Sequence, residues 1–415
     1  MPRWSVLLSV VVFAAIGALV VANRDRDADR APEAAPPRAS PEPAPGPDAH
    51  LRSLQRIADE HGGTRAAGSP GDAATADYIE QRLRAAGYRV SRQRFRVPVY
   101  RETAPPRLRV DGRAVRPIRT LQFSPGGTAS GTIRSAGLGC EADDFGALRG
   151  GDIALIRRGT CFFRDKVLNA QRAGAAAALV VDQERRPVAA SLQSPGLRIP
   201  ALALGAEAGP GLEGRRATMT VDAVSGRRET ASVVAESGPA DAPRVVMAGG
   251  HLDSVPAGPG LNDNGSGVAA LLFVAERLAD RELPLRFAFW GAEEIGLVGS
   301  RRYVDGLDAA ERRRIAAYLN LDMVGTPGNE PEVYDGGPVE AALRRHLPRG
   351  TDEVTLEGNS DHAPFEQAGI PIGGIFTGLG DCYHQRCDTL RNVDRATVAL
   401  AARAVERTLL DLVNP

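Results

Sequence analysis

Lysine is almost missing from this chain: of 51 basic residues only Lys166 is a lysine, and the rest are arginine. We read that as coding bias without functional weight. Excess charge is missing too, because Asp and Glu also number 51 and the formal charge is zero. A strongly basic surface of the kind that binds nucleic acid is not expected. Cysteine is sparse, with Cys140, Cys161, Cys382 and Cys387. Four cysteines exclude a disulfide-dense mini-scaffold but allow two staples in an oxidising compartment. No Gly-x-Ser-x-Gly elbow occurs, so a serine hydrolase is poorly supported. What remains is 415 residues, 43% apolar and 25% charged, enough for two or three folding units of roughly 150 residues each.

The amino-terminal segment bears on compartment. After Met1-Pro-Arg-Trp, residues 6–22 form an almost unbroken apolar run of 17 residues. A short positive region followed by such a run reads as a signal peptide. The run is also just long enough to stay as a single membrane anchor. No cysteine follows it to accept lipid, and either reading exports the rest of the chain: secreted, periplasmic or tethered to the outer face of the membrane. Residues 23–47 alternate Arg and Asp and then carry seven prolines between Pro32 and Pro47. That composition cannot build a packed core, and we read it as an exported linker.

Three stretches follow. Residues 48–99 read as a helix through Leu51, Leu54, Ile57 and Ala58, a Gly-rich break from His61, a second helix over 73–86 and an alternating strand over 88–97. Residues 100–227 read as short strands and Gly-rich turns around one helix at 165–173, with no titratable cluster. From residue 228 onward the pattern is α/β. Residues 245–248, 285–290, 317–321 and 372–376 are short apolar runs, as buried parallel strands require, with helical patterns over 267–278 and 396–410. A mixed, mostly parallel sheet covered by helices is expected, with a small β-rich module inserted.

Each of those four apolar runs leads into a loop that carries acids or histidine. The first gives His251-Leu-Asp253, and a later loop gives Asn-Asp263-Asn-Gly-Ser-Gly. The others give Glu293-Glu294, Asp322, and Cys382-Tyr383-His384 with Cys387-Asp388. In an open α/β sheet, ligands bind beyond the carboxyl ends of the strands, so these groups should meet on one rim. Imidazole and carboxylate together suit zinc, and this many carboxylates on one rim suit a pair of ions. A two-metal hydrolase needs a bridging carboxylate, terminal ligands and a base for water. The adjacent Glu293 and Glu294 fit a division between base and ligand.

With those runs in place, residues 229–415 resemble peptidase family M28, the aminopeptidase Y and Streptomyces-type aminopeptidase group. The carrying motifs are Gly-Gly-His251-Leu-Asp253-Ser, Asn-Asp263-Asn-Gly-Ser-Gly, Ala-Glu293-Glu294-Ile-Gly-Leu-Val-Gly-Ser, Asn-Leu-Asp322-Met-Val-Gly, Ser-Asp361-His362-Ala-Pro-Phe and Cys-Tyr383-His384-Gln-Arg-Cys-Asp. Residues 48–99 resemble the family's amino-terminal part, and residues 100–227 resemble a protease-associated (PA) domain. The resemblance implies a zinc exopeptidase-like fold with two zinc ions per chain. It implies His251 and Asp322 on one ion, Glu294 and His384 on the other, and Asp263 bridging both. Glu293 would be general base on a metal-bridging water, Asp253 would orient His251, and Tyr383 would donate to the oxyanion. The implied activity is an exported aminopeptidase acting on peptides with a free N-terminus.

One departure stands out. Streptomyces-type enzymes have an Arg before the Ser-Asp-His motif, at the substrate site, where this chain has Asn359. A same-fold carboxypeptidase would need a basic anchor for the substrate carboxylate, and the motif loops offer none. A glutaminyl cyclase-like enzyme uses one zinc, and a catalytically inactive binding protein of this architecture has lost ligands, whereas all five ligand positions are filled here. A Cys382–Cys387 bridge would pin the loop that presents Tyr383 and His384. Cys140 and Cys161, both in the PA-like stretch, are the remaining pair.

Overall fold

The computed structural model describes residues 46–334 and 337–414; the apolar run and most of the Pro-rich linker lie outside the described residues. No helix among the described residues is long and apolar enough to cross a membrane.

The first helix, Pro47–Glu60, begins at the last proline of that linker. Proline is tolerated there because the first turn has no intrahelical use for its missing N–H. The second helix, Pro70–Ala85, opens on Ser69, whose side chain accepts the N–H of Asp72.

The peptidase sheet has four central parallel strands, all anticipated by their apolar runs: Val245–His251, Leu285–Trp290, Ile315–Leu321 and Ile372–Phe376. Their spatial order places Ile315–Leu321 and Leu285–Trp290 on opposite sides of Val245–His251, with Ile372–Phe376 beyond the first of these. The chain therefore leaves Val245–His251 to one side and returns on the other. That reversal is the topological switch point, where open α/β sheets form their binding crevice. Antiparallel strands close both edges, which makes the sheet mixed.

Both faces are covered, which explains the unbroken apolar runs. Val246, Ala248, Phe287, Phe289, Ala317 and Leu319 pack against the helices Gly265–Leu278, Arg395–Val413 and the two amino-terminal helices. Their alternates Val245, Met247, Ala288, Trp290 and Tyr318 pack on the other side against Tyr303, Val304 and Phe365. Successive side chains of a strand point to opposite faces, so one run supplies two cores.

The greatest departure from the expected elements is a long antiparallel ribbon. The strand expected over 88–97 runs from Arg89 to Val110, and it pairs with Arg216–Glu236 along its length. Prolines at 98, 105 and 106 argue against a strand in the sequence. The ladder absorbs the latter two at irregularities between Glu102 and Arg107. Residues 99 and 227, which end the stretches read from composition, lie side by side in this ribbon, with Pro98 paired to Arg227 and Val99 to Gly226. The ribbon carries the peptidase sheet into the inserted PA module. There, parallel strands Gly127–Ser135, Ile153–Arg157, Ala177–Val181 and Ala201–Leu204 pack with the helix Phe163–Arg172. Cys140 and Cys161 are bonded ahead of that helix. Lys166, within that helix, is buried and donates to the carbonyl of Leu138.

Candidate metal centre and cleft

The switch point brings the acid-bearing loops together. His251 ends its strand, and Asp322 follows the last residue of the neighbouring strand. Their side chains meet with Nε2 to Oδ1 at 3.2 Å. Asp263 arrives from the loop before the Gly265–Leu278 helix, and its two oxygens face different imidazoles. Oδ1 is 3.2 Å from His251 Nε2, and Oδ2 is 3.2 Å from His384 Nε2. Glu294 Oε2 lies 3.1 Å from His384 Nε2, and Glu293 Oε2 lies 3.9 Å from His251 Nε2. All five residues expected as ligands and the expected base thus share one rim.

These donors form two nitrogen–oxygen sets joined through Asp263. One is His251, Asp322 and Asp263 Oδ1; the other is His384, Glu294 and Asp263 Oδ2. Glu294 also has a buried oxygen, Oε1, with no hydrogen-bond partner. A buried unpaired carboxylate oxygen is costly, and a divalent cation removes that cost. Ligand atoms of His251, Asp263 and Glu294 lie within 4.8 Å of one another. The donor set therefore fits zinc.

The charges respond to this crowding. Burial pushes the Glu293 carboxyl well above the usual range; Asp361, Asp322 and Glu294 push the same way and His251 opposes them. Burial lifts Glu294 to about 7 against the hydrogen bond from His384. Asp263 goes down: burial would raise it, but hydrogen bonds from His251 and His384 outweigh that. His384 rises to about 10 through its bonds to Asp263 and Glu294. Such opposed shifts in one cleft mark a functional site.

A second layer holds the ligands. Asp253 was expected to orient His251, and the shortest contact of His251 Nδ1 is with the Asp253 backbone carbonyl, at 3.2 Å. The Asp253 carboxylate stands 3.8 Å away and accepts the Glu293 backbone N–H at 3.1 Å. Asp388 accepts the N–H groups of Asn262 and Asp263 at 2.8 and 3.0 Å, fixing the Asp263 loop from behind. Arg65 is wholly buried, and its guanidinium donates to the carbonyls of Leu252, Pro259 and Gly260. It fastens the loop after His251 to the loop before Asp263. A buried chain also runs from Trp290 Nε1 to Tyr318 Oη, from there to Asn320 Oδ1, from Asn320 Nδ2 to Ser360 Oγ, and from Ser360 to Asp322 Oδ2.

Sequence reasoning assigned no role to Ser360, Asn320, Asp388 or Arg65. Ser360, Asn320 and Asp388 stand inside the family motifs, which is the signal the sequence offers for them. Of their motif neighbours, Asp361 is fully buried, and burial lifts its carboxyl to about 7. His362 packs edge-on to Tyr334, with centroids 4.9 Å apart.

Several of these positions are backbone-strained. Ala292, Met323 and His384 have φ of 61°, 54° and 57°. Non-glycine residues in that region cost free energy and persist where surroundings dictate them, commonly at functional sites. Gly250 shows how close the strands run: a Cβ there would lie 2.4 Å from the Leu321 carbonyl oxygen.

The Cys382–Cys387 bond closes a short loop around Tyr383 and His384. Tyr383 stacks on His384 at 3.8 Å between centroids. Burial first, then the cleft carboxylates, lift its hydroxyl to about 12. The cleft has a volume of about 570 Å³. Its walls combine Asp263, Glu293, Glu294 and Asp322 with apolar Leu297, Met323, Leu356, Phe376 and Leu379. Asn359 and Arg301 also line it.

Comparison with known proteins agrees with this architecture. The M28 peptidase family model matches residues 232–409, and the PA domain model matches residues 129–212. The chain belongs to peptidase family M28 and is a peptidase carrying a PA domain. It is 35% identical over 424 residues to an aminopeptidase of Pseudomonas aeruginosa, covering 86% of this chain and 78% of that one. It is 32% identical to a probable lipoprotein aminopeptidase of Mycobacterium tuberculosis, covering 86% and 82%. Among solved structures, the aminopeptidase of Aneurinibacillus sp. strain AM-1 superposes with a TM-score of 0.63 at 27% identity, covering 89% and 94%. A zinc aminopeptidase of Bacillus subtilis gives 0.60 at 28% identity, covering 91% and 96%.

Proposed function

We propose that this peptidase is an exported, zinc-dependent aminopeptidase that binds two ions. The observation that carries the reading is the double engagement of Asp263, whose oxygens each face an imidazole that is paired with a further carboxylate. His251 and Asp322 would hold one ion, His384 and Glu294 the other, with Asp263 between them. Bound zinc supplies Lewis acidity toward the scissile carbonyl and the attacking water.

The side chains of this chain do the rest. Glu293 takes a proton from the water as its oxygen bonds to the carbonyl carbon. It delivers that proton to the departing nitrogen as the C–N bond breaks. Tyr383, on the cleft wall, donates to the developing oxyanion. The substrate's α-ammonium is drawn to the carboxylate-rich rim, which sets the first peptide carbonyl against the centre. The aminopeptidase relatives support this direction of attack. The apolar run over residues 6–22 and the lipoprotein relative support export.

The test is one short peptide offered with a free and an acetylated amine. The free form should lose its first residue and the acetylated form should be nearly inert. Equal cleavage of both, or release from the C-terminus, rejects the aminopeptidase reading and leaves the metal centre standing.

A further inference from the structure

The cleft has one feature that the ligand set and the base do not use. Its charged lining is acidic except for His384 and Arg301. His384 is committed to Asp263 and Glu294. Arg301 sits in the helix Val298–Asp305, which follows directly from the Glu293-Glu294 loop. Its backbone N–H is tied to the carbonyl of Leu297, while its guanidinium makes no hydrogen bond or ion pair among the described residues. The next residue, Arg302, turns away and lies over the Phe95 ring. Other arginines of the peptidase unit are engaged: Arg65 with carbonyls, Arg286 with Glu236 and Arg314 with Glu311.

We infer that Arg301 receives the C-terminal carboxylate of short peptides, making it a specificity determinant for di- and tripeptides; this rests on the aminopeptidase reading above. A short peptide at neutral pH is a zwitterion, with a cation at one end and an anion at the other. The carboxylates at the metal end of the cleft suit the ammonium. The same carboxylates repel the far carboxylate, and Arg301, the free cation among the described lining residues, offsets this. Two residues span at most about 7 Å, so in a dipeptide both ends fall inside one cleft. Guanidinium pairs with carboxylate through two parallel N–H bonds, which adds geometric selectivity to charge. A longer peptide carries its carboxylate out of the cleft and gains nothing from this contact. Asn359, which also lines the cleft, is uncharged and cannot replace it.

The experiment compares leucylglycine with leucylglycinamide, measuring kcat/KM for each on the wild-type protein, Arg301→Gln and Arg301→Lys. Because the readout is the ratio of free acid to amide within each protein, a general loss of activity cancels. The wild type should prefer the free acid by about 10-fold, mostly through KM. Arg301→Gln should bring the ratio close to one, and Arg301→Lys should keep part of the preference. A wild-type ratio near one, or a wild-type ratio retained in Arg301→Gln, overturns the inference. Acetyl-leucylglycine is the separate arm. Its cleavage with release of the C-terminal glycine rejects the aminopeptidase reading and assigns Arg301 to a carboxypeptidase anchor instead, which also overturns the inference.

Discussion

Ser360 donates a 2.6 Å hydrogen bond to Oδ2 of Asp322, the carboxylate oxygen other than the one that meets His251. The bond fixes the plane of a proposed ligand, and Asn320 and Tyr318 fix Ser360 in turn. Partners of this type usually change metal affinity by about 10–100-fold when removed. Ser360→Ala should therefore weaken zinc binding by roughly that factor. Zinc titration against a competing chelator reads this directly. Unchanged affinity would reduce the chain from Trp290 to Asp322 to packing.

Arg65 carries a different burden. Its wholly buried guanidinium satisfies three backbone carbonyls of the loops that present His251 and Asp263. Arg65→Met keeps much of the volume and removes every donor. Unsatisfied buried acceptors cost about 1–3 kcal/mol each, so we expect a loss of at least about 3 kcal/mol. Thermal or denaturant unfolding measures it, and a loss below about 1 kcal/mol would contradict the clamp.

These two residues mark the limit of what the sequence disclosed. His251, Glu293, Glu294, Asp322 and His384 stand out because apolar runs lead into the loops that carry them, and Asp263 because its Gly-rich loop opens a helix. The four central strands were legible for the same reason. Ser360 and Asn320 lie inside motifs but, like Tyr318, show no role of their own in the sequence, because a hydroxyl or amide in a buried segment looks like ordinary core until its partner is known. Arg65 lay in a stretch read only as a helix break. Arg301 was hidden on a helix, outside the motif loops where a basic anchor was sought. The long ribbon was missed because Pro98, Pro105 and Pro106 argue locally against a strand, whereas pairing with Arg216–Glu236 overrides that preference.

The bond between Cys382 and Cys387 encloses His384, whose own φ of 57° is unfavourable for a non-glycine residue. The loop is held in a conformation it would not choose freely. Replacing both cysteines by serine should weaken the ion at His384 and Glu294 more than the ion at His251 and Asp322. Stepwise chelation should show one site loosened by about 10-fold or more. Equal affinity at both sites in this variant would remove the bridge from the account. Non-reducing mass mapping should find Cys140–Cys161 and Cys382–Cys387 and no crossed pairs.

Zinc dependence is tested by removal and return. Chelation should abolish turnover, and added zinc should restore it as occupancy approaches two per chain. Full activity in protein with no zinc above background would rule out the metal reading.

Glu293→Gln with zinc content measured on the same sample is the most direct test of the proposed chemistry. Glutamine keeps the size of the side chain and cannot accept the proton. With both zinc ions retained, kcat should fall by about 10²–10⁴. Near-normal turnover in zinc-replete Glu293→Gln would show that a different group takes the proton.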